Sequence, residues 1–180
     1  MSQFVVVTAV GEDRPGIVNE LVKLASTCQC NIVDSRMAIF GQEFTLFMLL
    51  SGDWNAIARL ESQLPVLARD HQLLTIIKRT GQHQTPHFQH RLELEAHTHD
   101  RPGVISQMTQ FLAEQHVDIA ALSTSVSADR LQLTVRINLP ETVALADFET
   151  ALQSLCQEQA LDVNIAHLTP LTEIRHKESS

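Results

Sequence analysis

The chain reads as an α+β protein built from two tandem copies of one β-α-β-β-α-β unit. Three observations predict this. The tetrapeptide Asp-Arg-Pro-Gly occurs at Asp13–Gly16 and again at Asp100–Gly103, an offset of 87 in a chain of 180 residues. The same offset carries Asn31-Ile32 onto Asp118-Ile119, and Leu74-Thr75-Ile76 onto Leu161-Asp162-Val163. One register without insertions is therefore expected to relate the halves. Within each half the apolar spacing alternates between strand and helix periods in the order β, α, β, β, α, β. An internal repeat of this kind decides the fold. The unit is the split β-α-β arrangement of ferredoxin-like folds. Each half is predicted as an antiparallel four-stranded sheet, with strands one and three central and both helices on one face.

The elements follow in order. Residues 3–10 are apolar and β-branched, as in a strand buried on both faces. Gly11-Glu12-Asp13-Arg14-Pro15-Gly16 is a turn, and Arg14 is pushed out of α geometry by the following proline. Pro15 suits a first helical position. The helix is expected from Pro15 to about Cys28, with Ile17, Val18, Leu21, Val22, Leu24 and Ala25 as its apolar stripe. Strands are expected over 31–40 and 43–50, turning at Phe40-Gly41-Gln42. Asp53 suits an N-cap. Ile57, Leu60, Leu64 and Leu67 mark a second helix that Pro65 should kink or split. A last strand is expected over 72–79.

The second half repeats the pattern. Leu92, Leu94 and Ala96 alternate with Glu93, Glu95 and His97. Val104, Ile105, Met108, Phe111 and Leu112 have helical spacing. A strand is expected near 117–126, and Leu131, Leu133, Val135, Ile137 and Leu139 alternate along the next. Leu145, Phe148, Leu152 and Leu155 fit a helix, and Leu161, Val163 and Ile165 a closing strand. The boundaries expected are a first domain over 1–80, a polar linker over 81–88, a second domain over 89–170 and a flexible tail over 171–180.

Composition narrows the function. Hydrophobic residues make up 44% of the chain, enough for a core in each half. No apolar run is long enough to span a membrane, and Met-Ser-Gln-Phe does not open a signal peptide, so a cytoplasmic protein is expected. The odd cysteine count, Cys28, Cys30 and Cys156, does not suggest a disulfide framework. Net charge is −8, and it divides unevenly: −1 up to Gln82 and −7 from His83 onward. An acidic surface without a basic stripe argues against direct nucleic-acid binding. No nucleophile elbow, phosphate loop or helical metal motif occurs, so no catalytic residue, cofactor or metal is assigned. His83, His87, His90, His97 and His99 are too loosely spaced for a zinc site, and a solvated linker is the simpler reading.

The repeated turns remain as the candidate site. A helix N-terminus presents unpaired N–H groups and a positive dipole end to a small anion. N–H groups around Gly16-Ile17 and Gly103-Val104 could hold a carboxylate, with Asn31 and Asp118 as partners for an ammonium group. Those residues lie at the far end of the intervening helix, so such a pocket would be completed between domains or subunits. The plainer alternative is a capped helix start.

A β-α-β-β-α-β unit with Asp-Arg-Pro-Gly at the first strand–helix junction, and Asn-Ile or Asp-Ile opening the second strand, resembles an ACT domain. The resemblance covers about residues 3–79 and 89–168. It implies a regulatory module that binds amino acids. The ligand residues it implies are Asp13, Arg14, Pro15, Gly16, Ile17 and Asn31 in the first copy. In the second they are Asp100, Arg101, Pro102, Gly103, Val104 and Asp118. Two such domains with little else resemble tandem-ACT transcriptional regulators of glycine cleavage. That resemblance implies a non-enzymatic co-repressor relieved by a small amino acid, glycine above others. Such a protein acts on a DNA-bound activator rather than on DNA, and a homo-oligomer joined through sheet edges is expected. The alternatives are a regulatory subunit of a biosynthetic enzyme and a ligand-free adaptor.

Overall fold

The structure is a computed structural model that describes residues 2–81 and 88–168. It divides into two compact units, Met1–Gln84 and Thr85–Ser180. In unit 1, strand β1 (Gln3–Glu12) leads to helix α1 (Ile17–Thr27), strands β2 (Asn31–Phe40) and β3 (Glu43–Gly52), helix α2 (Trp54–Asp70) and strand β4 (Leu74–Thr80). In unit 2 the series is β5 (Phe88–His99), α3 (Val104–Glu114), β6 (Asp118–Ser127), β7 (Arg130–Pro140), α4 (Leu145–Gln159) and β8 (Asp162–Leu168). β5 begins at Phe88, inside the segment read as linker, and positions 82–87 and 169–180 lie outside the described residues. The sheet orders are β2-β3-β1-β4 and β6-β7-β5-β8, all antiparallel. This is the expected α+β ferredoxin-like arrangement, with strands one and three of each copy in the centre.

The cores follow from the strand period. Val5, Val7 and Ala9 of β1, with Phe44, Leu46, Met48 and Leu50 of β3, point to one face and are buried. Ile17, Leu21 and Ala25 of α1 and Ala56, Ile57, Leu60, Leu64 and Ala68 of α2 close over them. The alternate β1 residues are only half-buried. β1 is thus covered on one face, not on both, because both helices lie on the same side of the sheet. Unit 2 builds the same layer from Leu92, Leu94 and Ala96, the β7 series Leu131 to Leu139, and Phe148 and Leu152 of α4.

Two proline expectations are corrected. Pro15 is not the first helical residue. The Ile17 N–H donates to the Arg14 carbonyl at 3.3 Å, so Pro15 and Gly16 are the middle of a β-turn. Gly16 has φ 91° and ψ −10°, the third-position geometry of a type II turn, and the helix starts only at Ile17. The second helix is also not split, since α2 runs through Pro65 as one element. Leu64 on one side and Ala68 on the other are both buried, so packing holds the two flanks of the proline in one helix.

The single offset is corrected as well. It is 87 from β1 to the start of β3, but Thr75 and Val163 face Ala9 and Ala96 respectively, an offset of 88. The extra residue enters between β7 and α4. In unit 1 only Asp53 separates β3 from α2. Its carboxylate Oδ1 accepts the Ala56 N–H at 2.7 Å, the predicted cap. Asp53→Ala is expected to lower unit 1 stability by about 1 kcal/mol, measured by denaturant titration. Farther along, Arg79 of β4 grips both Glu61 oxygens at 2.8 Å, which holds the Glu61 carboxyl below its ordinary range.

Candidate functional site

The two Asp-Arg-Pro-Gly turns are built alike, and each is held at both ends. The Asp13 N–H donates to the Gln42 carbonyl at 3.1 Å, and the Asp100 N–H to the Asp129 carbonyl at 2.9 Å. Each carbonyl sits at the tip of the following hairpin, so the turn is tied to its own sheet. The arginine secures the other side. Arg14 Nη2 donates to His71 Nδ1 at 2.6 Å and to the His71 carbonyl at 3.3 Å. Arg101 Nη2 donates to the Gln159 carbonyl at 2.7 Å and to its side-chain Oε1 at 3.3 Å. His71 and Gln159 end α2 and α4. A guanidinium there meets unpaired carbonyls at the negative end of a helix dipole. The repeated arginine is thus a brace between the first turn and the second helix, 57 or 58 residues away.

The aspartate side chains do not cap the helices. Neither α1 nor α3 receives a side-chain cap bond; the caps are Gly16 and Gly103, both left-handed. The φ values of 91° and 98° favour glycine, since a Cβ in this region costs about 1–2 kcal/mol. Nothing lies within 4 Å of where either Cβ would stand. The space in front of both turns is open.

Clefts lie beside both turns. In unit 2 a cleft of about 350 Å³ is lined by Asp100 to Ser106 and Leu131, and so contains the whole turn and the start of α3. In unit 1 a cleft of about 430 Å³ lies behind Arg14, between Glu12, Glu43, His71 and Gln72. Sequence reasoning missed His71, Gln72 and Glu43. The one available signal was Arg14 itself, because the carbonyls that end a helix attract a cation and the motif supplies one.

Asn31 and Asp118 are not brought to the turns. Each opens its second strand, at the opposite end of an eleven-residue helix. That helix is about 16 Å long at 1.5 Å per residue, beyond the reach of one small amino acid. Their settings also differ. Asp118 accepts from Asn138 Nδ2 at 2.9 Å, and Asn138 Oδ1 accepts from Arg91 at 3.1 Å. In unit 1 the register partner of Asn31 is Ser51, and Ser51 faces Phe4. The acid in the second copy is therefore part of a polar chain that the first copy cannot form.

The metal reading gains no support. Among the described residues no group of three His, Cys, Asp or Glu side chains converges; His83 and His87 lie outside those residues. Cys28 and Cys30 are buried at the end of α1, and burial pushes both thiols up, which suits small core residues. No helix among the described residues is long and apolar enough to cross a membrane.

Comparison with known proteins agrees with this architecture. The ACT domain profile matches residues 3–78 and 91–166. The Escherichia coli protein named glycine cleavage system transcriptional repressor is 37% identical over 161 residues, covering 86% of this chain and 85% of that protein. A crystal structure described as a candidate glycine cleavage system transcriptional repressor superposes with a TM-score of 0.78 at 34% identity, covering 94% of this chain and 99% of that one. A Galdieria sulphuraria protein of unknown function shares the fold, with a TM-score of 0.73 at 24% identity over 94% of this chain and 100% of its own. With two profile matches that coincide with the two structural units, the chain belongs to the ACT domain family and carries two ACT domains in tandem.

Proposed function

We propose that the protein is a non-enzymatic transcriptional regulator of glycine cleavage, a co-repressor that senses a small amino acid and acts through a protein partner. The observation that carries this reading is the match to the Escherichia coli repressor over 86% of this chain and 85% of that protein, which spans both domains rather than one. Glycine is the favoured ligand. Its carboxylate would meet the uncapped N–H groups at the start of α1 or α3, where helix dipole and open space coincide. Asp13 and Asp100, not used as caps, stand beside those positions. Asn31 and Asp118 enter a site only if a second domain or subunit brings them to a turn, as the expected homo-oligomer would. The net charge of −8 favours contact with a DNA-bound activator protein over contact with DNA. Ligand would act by favouring one arrangement of the domains or subunits, typically by about 1–3 kcal/mol.

Calorimetric titration with glycine and the other amino acids tests the reading. Saturable heat with glycine is expected, and it should vanish in Gly16→Ala/Gly103→Ala. That double variant should remain folded, because each added methyl enters open space and costs about 1–2 kcal/mol of backbone strain. Silence with every amino acid from a folded protein would sink the sensor and leave the ligand-free adaptor.

A further inference from the structure

The outer faces of the two sheets, away from the helices, have diverged in a way the shared fold does not require. In unit 2 this face is polar and pairs with itself. Arg136 meets Glu93 at 2.6 Å, Gln132 meets Glu95 at 2.6 Å, and Asn138 meets Asp118 at 2.9 Å. In unit 1 the centre of this face is apolar, with Val6 standing for Glu93, Leu49 for Arg136 and Phe47 for Thr134, while Thr8, Thr45, Ser51 and Asn31 stand for Glu95, Gln132, Asn138 and Asp118. Phe47 is 50% exposed, Ile76 68% and Leu74 77%. An exposed apolar patch of this kind, rimmed by polar and charged residues, marks an interaction surface.

Its edges indicate which partner. The pairing register places Asp34, Leu49, Val6 and Lys78 in one row across β2, β3, β1 and β4. An acid ends the row on one side and a base on the other, with two apolar residues between. A two-fold axis parallel to the strands and running between β3 and β1 brings Leu49 of one copy onto Val6 of the other. The same rotation brings Asp34 of each copy onto Lys78 of the other. The neighbouring row, Arg36, Phe47, Thr8 and Ile76, then lays Phe47 on Thr8 and the Arg36 stem on Ile76. Such reciprocity, in which one residue meets a second and the second meets the first, is what an isologous dimer requires. A foreign partner would give no reason for it.

The area is also of the right size. Four strands about 4.8 Å apart, with eight residues of about 3.3 Å rise, present roughly 500 Å² per copy. Two copies then bury roughly 1,000 Å², the lower end of specific interfaces. Sheets packed face to face with nearly aligned strands are a standard solution for apolar faces.

We infer that the open face of the unit 1 sheet is a self-association surface, joining two copies of this chain face to face about that axis. The inference stands apart from the amino-acid reading, since none of its residues belongs to the turns. Sedimentation analysis of the full chain over a wide concentration range tests it. A concentration-dependent dimer is expected, and Phe47→Glu should weaken it by more than about tenfold, equivalent to 1.4 kcal/mol. Asp34→Lys alone and Lys78→Asp alone should each weaken it. An equimolar mixture of these two variants should recover a heterodimer, because both cross-pairs become attractive, and D34K/K78D in one chain should recover the homodimer. All these positions are exposed or at the sheet edge, and circular dichroism checks that each variant is folded. A wild-type monomer at every concentration would overturn the inference. So would a dimer indifferent to Phe47→Glu, as strand-edge pairing would be, or charge reversals that mixing does not rescue.

Discussion

Phe148→Ala is expected to destabilise unit 2 by about 3–5 kcal/mol and to leave unit 1 untouched. Phe148 has no exposed surface and packs on Phe111 with ring centroids 5.8 Å apart. It lies at the middle of the apolar face of α4, where Leu152 is the other fully covered residue. Removing the ring leaves a cavity beneath a helix with few other anchors. Against the roughly 5–15 kcal/mol that stabilises a typical domain, this is a large fraction. The two cores share no residue, which is why the loss should stay local. Trp54, the single tryptophan, sits in α2 and reports on unit 1 alone. Denaturant titration followed by tryptophan fluorescence should be unchanged, while far-ultraviolet circular dichroism should show an early transition. A fluorescence curve that moves with the dichroism would mean that the units unfold as one.

Gly52→Val should carry the next largest effect, about 1–3 kcal/mol and confined to unit 1. The reason is close approach, not backbone freedom. A Cβ at Gly52 would lie 2.9 Å from the Ala56 Cβ and 3.5 Å from the Cys30 sulfur, and a branched side chain has no direction in which to escape. Unit 2 shows the alternative solution. Leu139 occupies the equivalent position and is fully buried. There the helix begins later: four residues separate Pro140 from Leu145, where unit 1 has Asp53 alone. The first turn of α2 and a large side chain at this site exclude one another. The same comparison explains the offset change from 87 to 88. Fluorescence-detected unfolding of G52V measures the cost, and a stability equal to wild type would mean that α2 can retreat as α4 has done.

Several features were readable because they depend on residues close together in the chain. The strand alternation of Leu131 to Leu139 and the helical spacing of Ile17, Leu21 and Ala25 each name a face, and each face was found buried. The hairpin at Gly41 and the Asp53 cap likewise follow from local chemistry. The end of α1 was expected near Cys28 and lies there, but the way the helices end was not readable. Among the described residues, all four helices are followed by a left-handed residue that is not glycine: Gln29, Gln72, His116 and Ala160. The next residue then turns inward and is buried: Cys30, Leu73, Val117 and Leu161. Its N–H donates back to the helix at 2.8–3.0 Å, to Ala25, Ala68, Leu112 and Cys156. Glycine is the usual sequence signal for such an end. Here the burial of the following apolar side chain offsets the strain, and that is visible only once the core exists.

The amino-acid sequence by itself determined the duplication, the order and type of the twelve elements, and the two turns that mark the family. Each of these is written in short-range periodicity or in a motif that needs no distant partner. Only the tertiary structure decided the role of the motif arginines, because their partners lie 57 and 58 residues away at the ends of other helices. It decided the difference between the two sheets too. Val6 lies in a continuous apolar run and Glu93 in an alternating one, and only the cross-strand register puts Val6 in a row with Leu49, Asp34 and Lys78.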